Sequence, residues 1–417
     1  MVQNSFLVLA ISFGVAAHAI SGPPKTLAEC YSAALKRSET IANQQESIRQ
    51  AELSYRAAVG TVLPTVSGFA SYQVQQTPSS SVGSQVFPST QPLARLTATV
   101  PLFQGLREFA AMREGRGLIE ASTADKKQAE ISLYVDTATS FFTVLSLERD
   151  VINAESEIGL YEKRIAELSE LERIGRSRAS EVLTARAQKL ALEATLEQTR
   201  ALLVAQREVL AFVTGFEPSV TLKEVGATPA AARDVKTYID RVEQRPDVIA
   251  EKARARATDA AIGVASAAHY PSLNAQADYF AVRAGALADV HWDVILSLSV
   301  PIFNGGIIQS QVSQAISRRD QAESTLSRVR RQAIQQVRTL HSNYTHDRSQ
   351  WEMFQQARKL AERSFKDQTR DYKRGLVSNL DVLTALSAFQ SMQRSQDRAR
   401  YAMEIDFESL EAAAAFK

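Results

Sequence analysis

Four segments of the chain alternate between apolar and polar residues with a period of two. In Leu63–Gln76, Val66, Gly68, Ala70, Tyr72 and Val74 share one face, and Thr65, Ser67, Phe69, Ser71 and Gln73 share the other. In Leu93–Phe103, Leu96, Ala98, Val100 and Leu102 oppose Arg95, Thr97 and Thr99. Residues 271–283 set Leu273, Ala275, Ala277, Tyr279 and Ala281 against Ser272, Asn274, Gln276, Asp278 and Phe280. Residues 290–302 set Trp292, Val294, Leu296, Leu298, Val300 and Ile302 against Asp293, Ser297 and Ser299, with Ile295 the exception. This alternation predicts strands with one apolar and one polar face, arranged as two pairs. Roughly ten-residue alternating segments with aromatics near their ends fit the strands of a transmembrane β-barrel. An ordinary antiparallel sheet with one wet face is the alternative. Tyr72, Val100, Tyr279, Trp292, Leu296 and Leu298 are the candidate lipid-facing positions.

A different pattern follows each strand pair. The 12 prolines leave two blocks empty, residues 102–217 and 302–417, both rich in Ala, Leu, Glu, Gln, Arg and Lys. These are strong helix formers. A glycine turn interrupts each block, in Arg173-Ile174-Gly175-Arg176-Ser177 and in Lys373-Arg374-Gly375-Leu376-Val377-Ser378. The two blocks repeat at one offset. Val100-Pro101-Leu102-Phe103-Gln104-Gly105 matches Val300-Pro301-Ile302-Phe303-Asn304-Gly305, Gly175 matches Gly375, and Val182-Leu183-Thr184-Ala185 recurs as Val382-Leu383-Thr384-Ala385. Each repeat therefore predicts a helical hairpin turning at its glycine, with a first arm of ~105 Å at 1.5 Å per residue. Ala185, Ala187, Ala191, Ala194, Ala201 and Ala205 on the return helix permit close helix approach. The fold class is mainly α with a small β part: duplicated long hairpins plus four antiparallel strands.

Strands exposed to lipid cannot leave their edges unpaired, and four strands cannot close a barrel. The barrel must be shared between copies, eight strands in a dimer or twelve in a trimer. Only the larger leaves a lumen that side chains do not fill.

The remaining chemistry narrows the reading. Phe6–Ala17 is apolar and is followed by Ala17-His18-Ala19, so residues 1–19 read as a secretory signal peptide, although no Lys or Arg precedes Phe6. The expected divisions are then 20–215 for the first repeat, 216–240 for an equatorial segment and 241–417 for the second repeat. A net charge of +2 gives no global electrostatic case for nucleic acid. The single cysteine, Cys30, excludes an internal disulfide, and none of the 5 histidines pair at helical metal-ligand spacing. No phosphate loop or nucleophile elbow is present, so neither an enzyme nor a cofactor is expected. Acids and bases along the helices sit at spacings that read as solvated faces.

Over essentially the whole mature chain, these features resemble the TolC-like outer-membrane efflux family. The resemblance rests on Leu27-Ala28-Glu29 with Ala33-Ala34-Leu35, and on Arg245-Pro246-Asp247-Val248 running to Tyr270-Pro271-Ser272-Leu273. It rests also on the two strand-to-helix junctions at Val100–Gly105 and Val300–Gly305, and on Tyr372–Leu383 as a helix-tip motif. It implies a homotrimer whose twelve-stranded barrel sits in outer-membrane lipid above an α-helical periplasmic tunnel. The implied partners are a periplasmic adaptor protein and an inner-membrane pump of the RND or ABC type. A periplasmic coiled-coil adaptor or scaffold without its own pore is the alternative; it would lack the lipid-facing strands. Leu27-Ala28-Glu29-Cys30 looks superficially like the acylation motif of some members, but Glu29 is too bulky for it, and Cys30 reads as a buried helix residue.

The resemblance also assigns sites. Asp381 matches an acidic gate position, Glu181 is its repeat equivalent, and three copies on an axis would raise the pKa by crowding. Tyr372 matches a tyrosine that holds the closed tip in relatives. Thr384 stands where a second acid is frequent, and Val377 where the tyrosine's basic partner can stand. Arg173, Gly175, Arg176, Lys373, Gly375, Leu376 and Val377 are the candidate adaptor contacts.

Overall fold

The computed structural model describes residues 23–76, 88–224 and 231–414. The expected signal peptide, most of the loop 77–92 and part of the segment 216–240 lie outside the described residues. In chain order the elements are α1 (Leu27–Arg37), α2 (Glu39–Gly60), β1 (Thr65–Val74), β2 (Thr90–Gln104), α3 (Arg107–Arg173) and α4 (Ala179–Thr214). They continue as α5 (Val235–Ile239), α6 (Pro246–Ser266), β3 (Ser272–Val282), β4 (Trp292–Ser299), α7 (Ile307–Lys373) and α8 (Asn379–Ala413). No described helix is long and apolar enough to cross a membrane.

Local chemistry accounts for the boundaries. Thr26 and Glu29 form a capping box at α1, with the Thr26 N–H donating to Glu29 Oε2 at 2.9 Å. Pro246 opens α6 at a position where a missing N–H costs nothing. Helices α3 and α7 are 67 residues each and start and end 200 positions apart, as the repeat requires. Gly175 and Gly375 take φ of 75° and 76°. The next N–H in each turn reaches back, from Arg176 to the Leu171 carbonyl at 2.7 Å and from Leu376 to the Asp371 carbonyl at 3.0 Å. This closes both helices with the same left-handed cap. A Cβ would meet nothing within 4 Å at either glycine, so the backbone angle alone demands it.

The sheet is antiparallel throughout, in the order β1-β2-β3-β4. β1 and β3 follow α2 and α6, and β2 and β4 lead into α3 and α7, so the helices α2, α3, α6 and α7 stand side by side beneath the sheet in the same order. Close approach occurs between α3 and α6. A Cβ on Gly117 would come 3.0 Å from Ala257 Cβ, and Ala110, Ala121, Ala124, Ala250, Ala253 and Ala257 are buried. On α4, by contrast, only Ala185 of the six alanines singled out is buried. Farther down, α3 pairs with α4 and α7 with α8, and α3 also packs against α8.

Among the described residues, three apolar clusters hold the helical part. One joins Tyr238, Val248, Val337, Tyr344, Met403 and Leu410. A second surrounds fully buried Cys30 with Phe141, Phe142, Leu210 and Tyr401. Burial pushes the Cys30 thiol up to about 11. The third pins the two hairpins together above their turns through Tyr161, Leu168, Val182, Leu383 and Leu386.

Candidate functional site

The sheet carries one apolar and one polar face across all four strands. Its apolar rows read Gly68–Leu96–Tyr279–Trp292, Val66–Ala98–Ala277–Val294 and Val100–Ala275–Leu296, with Leu273 opposite Leu298. Tyr72 stands opposite Pro92 on the same face. All six candidate lipid-facing residues therefore share it. Tyr72, Trp292, Leu296 and Leu298 are 67–69% exposed, which for such side chains marks a surface awaiting an apolar neighbour. Three details differ from strict alternation, the first being a register shift between Ala94 and Arg95 that skips Ala281. The register shifts between Pro101 and Phe103, so Leu102 is skipped and Phe103 meets Leu273. Pro101 has no N–H to donate, which favours a bulge there. Strand β4 ends at Ser299, short of residue 302, with Pro301 just beyond.

The opposite face is polar and charged near the far end of the strands. Asp278 is buried, accepts hydrogen bonds from Thr97 Oγ1 and from Gln276 Nε2 (2.7 Å), and lies 3.9 Å from Arg95. Its cross-strand neighbour Asp293 lies 3.8 Å from Arg283, whose guanidinium covers Phe280. Apolar Phe69, Leu93, Phe280 and Ile295 also fall on this face.

At the other end of the molecule, the hairpin turns hold the remaining candidates. Asp381 begins α8 in a capping box, accepting from the Ser378 N–H at 2.8 Å and the Ser378 hydroxyl at 2.6 Å. These bonds hold its carboxyl below the usual range. In the single chain, that is opposite to the direction expected from crowding of three copies. Glu181 accepts from the Ser177 hydroxyl at 2.8 Å, and Thr384 donates to the Leu380 carbonyl at 2.8 Å. None of Asp381, Glu181, Thr384 and Tyr372 bonds to another of the four among the described residues.

Tyr372 has a basic partner on another helix. The guanidinium of Arg164, on α3, lies 4.0 Å from the Tyr372 ring centroid. The same guanidinium donates to buried Asn379 at 2.8 Å and to Glu167 at 3.1 Å. Arg164 is only 6% exposed. Burial of an arginine this deep requires partners, and here they tie α3 to both arms of the second hairpin.

Arg164 ends a ladder of buried charges that the spacing alone reads as a solvated face. Asp150, Glu157 and Arg164 recur every seventh residue on α3 and are all nearly inaccessible. Asp150 accepts from Arg398 at 2.8 Å, Glu157 pairs with Arg394, and between them Asn153 bonds Asp397 at 2.8 Å and Gln393 at 2.7 Å. The available signal was the interruption of the stripe Tyr161–Leu168 by Arg164.

The tips themselves are exposed at Arg173, Gly175, Arg176, Lys373, Gly375 and Leu376, with Val377 half-buried. Arg173 is partly engaged by Glu170 at 2.9 Å. Exposed Ile174 and Leu183 on the first hairpin, and Leu380 on the second, add apolar surface beyond the candidate contacts, which the helical spacing does not distinguish from buried positions. Among the described residues, no group of acids, histidines or cysteines could hold a metal ion.

This architecture matches known proteins. The chain superposes on the solved structure of CusC with a TM-score of 0.82 at 19% identity, covering 93% of this chain and 91% of that one. VceC from Vibrio cholerae gives 0.82 at 19% identity, covering 93% and 95%. By sequence, the chain is 27% identical over 322 residues to the pyoverdine export outer membrane protein OpmQ of Pseudomonas aeruginosa, covering 71% of this chain and 63% of OpmQ. It is 31% identical over 106 residues to the outer membrane protein TolC of Escherichia coli, covering 25% of this chain and 22% of TolC. The matched regions thus span less than two thirds of the length of these curated relatives. The family model for outer membrane efflux protein matches residues 30–215 and 240–415, almost the two repeats in full. With both repeats matched and the fold shared, the chain belongs to the outer membrane efflux protein family.

Proposed function

We propose that the chain forms, as a homotrimer, the exit duct of a tripartite efflux or type I secretion system. It conducts substrate passively through the outer membrane from a periplasmic adaptor and an inner-membrane pump. The observation that carries this reading is the sheet. One face is apolar and exposed, the other is polar, and the outer edges of β1 and β4 have no partner among the described residues. A periplasmic adaptor or scaffold has no use for exposed Trp292, Leu296 and Leu298 on a sheet with open edges.

Joining β4 of one copy to β1 of the next in three copies closes twelve strands with the apolar rows outward and the Asp278–Asp293 rows inward. Exposed apolar residues at heptad spacing on the helices suit the same assembly: Leu183 and Leu190, Leu202 and Val209 on α4, and Met353 and Leu360 on α7. The gate lies at the tips, where three copies of Asp381 and Glu181 converge and repel anions. Ser378 orients Asp381, Thr384 lines the same turn, and Arg164 latches Tyr372. The adaptor docks on the exposed turns, with Leu376 as apolar anchor.

The test is outer-membrane fractionation followed by reconstitution into planar bilayers. Heat-modifiable protein in the outer-membrane fraction that gives discrete conductance steps supports the duct. Soluble periplasmic protein without conductance would support the adaptor or scaffold.

A further inference from the structure

The helical wall below the sheet has two sides, and one of them carries an unassigned basic groove. Arg107, at the top of α3, lines a cavity of about 340 Å³ together with Ser272, Asn274 and Ser299, which belong to the polar face of the sheet. Phe109, two residues on, points to the opposite side of the helix. Phe109, Arg113, Arg116 and Glu120 form one stripe at helical spacing, on the side continuous with the apolar sheet face. Phe109 itself is 59% exposed there.

Arg113, Arg116 and Arg256 line a groove of about 320 Å³ between α3 and α6, floored by Gly117, Ala260 and Gly263. The carboxylates in its wall are Glu120 and Asp259, one fewer than the guanidiniums. Glu120 is taken by Arg256 at 2.6 Å. Arg116 donates to the Tyr55 hydroxyl at 3.2 Å, and among the described residues no carboxylate pairs with Arg113. Arg116 lies ~10 Å below Phe109 at 1.5 Å per residue, and side chains on α3 lean back toward its N-terminus, that is, toward the sheet. The groove also lies between the two inner helices of the wall, away from the α2 and α7 edges where a neighbouring copy would pack.

We infer that this groove holds the phosphate of an anionic phospholipid headgroup from the leaflet facing the periplasm. The inference rests on the reading that the apolar sheet face meets lipid. The chemistry is complementary: planar guanidinium forks match phosphate oxygens, and glycine and alanine on the floor leave room for a headgroup. The exposed Phe109 stands between the groove and the apolar rows, where acyl chains begin. The lipid fixes the height of the barrel in the bilayer.

Native mass spectrometry of the full assembly, released from nanodiscs of phosphatidylcholine with phosphatidylglycerol, tests this. The wild type retains phosphatidylglycerol. The triple variant Arg113→Gln, Arg116→Gln, Arg256→Gln binds it at least about tenfold more weakly, and Arg113→Gln alone shows part of the loss. Arg254→Gln removes one charge from the other side of α6, where Arg254 pairs with Asp125, and leaves retention unchanged. Equal retention by the wild type and the groove variants would overturn the site while leaving the barrel reading intact. Displacement of the lipid by inorganic phosphate would overturn the lipid assignment in favour of a free-anion site. A wild type that does not enter nanodiscs would overturn the barrel reading and this inference with it.

Discussion

The Arg164 guanidinium stacks on the Tyr372 ring at 4.0 Å and, through Asn379, grips both arms of the second hairpin from the first. A salt bridge between exposed side chains would contribute little. This contact is buried, and removing one side leaves an unsatisfied polar group.

Arg164→Ala should loosen the tip. It strands the buried Asn379 side chain and removes the cation over Tyr372, a loss of about 1–3 kcal/mol of tip stability. Single-channel conductance should rise, and amide exchange should accelerate in the residues flanking Gly375. Arg164→Lys should fall between, because a lysine keeps the charge but not the planar fork. Unchanged conductance in both variants would show that the contact does not hold the tip.

The two faces of β4 give a paired test. Leu296→Arg places a cation on the apolar row opposite Ala275, at a cost of about 2–4 kcal/mol if that row meets the bilayer midplane. Ser297→Arg places it on the polar face opposite Asn274 and should be tolerated. Yield of assembled protein in outer-membrane fractions measures the difference.

Much of this was legible in the sequence, for identifiable reasons. The offset joining Gly175 to Gly375 fixed both hairpins, because a left-handed helix cap demands glycine wherever it recurs. Alternation along Trp292–Ser299 assigned the faces because side chains flip at every residue. Other features were hidden. The skipped Leu102 depends on how two strands adjust around Pro101, which no single-strand pattern reveals. The ladder of Asp150, Glu157 and Arg164 looked like a solvated face because its partners on α8 lie more than 200 residues away. Periodicity reports which residues share a face, not what covers that face. The alanines of α4 illustrate the same limit, being mostly exposed in the single chain while α3 and α6 make the close approach.

Stability should fall as pH rises through the neutral range. Burial raises Glu404 to about 7, opposed by Arg400 and reinforced by Glu224 and Glu408, and burial with Asp347 raises Asp406 to about 6. A raised carboxyl binds its proton in the folded chain where the unfolded chain has released it. Its stabilising contribution is therefore present at low pH and lost between the unfolded value near 4 and the folded value. The thermal midpoint should drop between pH 5 and pH 8, and Glu404→Gln should flatten the slope.

Docking should depend more on the second tip than on charge at the first. Leu376 is 70% exposed beside a glycine turn, and an apolar anchor desolvated at an interface centre carries more energy than a rim arginine. Leu376→Asp should abolish capture of the cognate adaptor and export while leaving the assembly inserted. Arg176→Ala should mainly slow association, in a salt-dependent way. Full export by Leu376→Asp would remove this tip from the docking surface.

The central claim is that three copies close one barrel through β4 of each and β1 of the next, and cysteine cross-linking across that seam tests it most directly. Cys30 is the only native cysteine and is buried, so a Cys30→Ala background leaves only the engineered thiols. Single cysteines placed along Thr65–Val74, each combined with one along Trp292–Ser299, are oxidised in outer-membrane fractions. The account predicts register-specific bonds between copies and a ladder of covalent species that ends at three chains. A ladder that ends at two, runs on beyond three, or never leaves the monomer would contradict it.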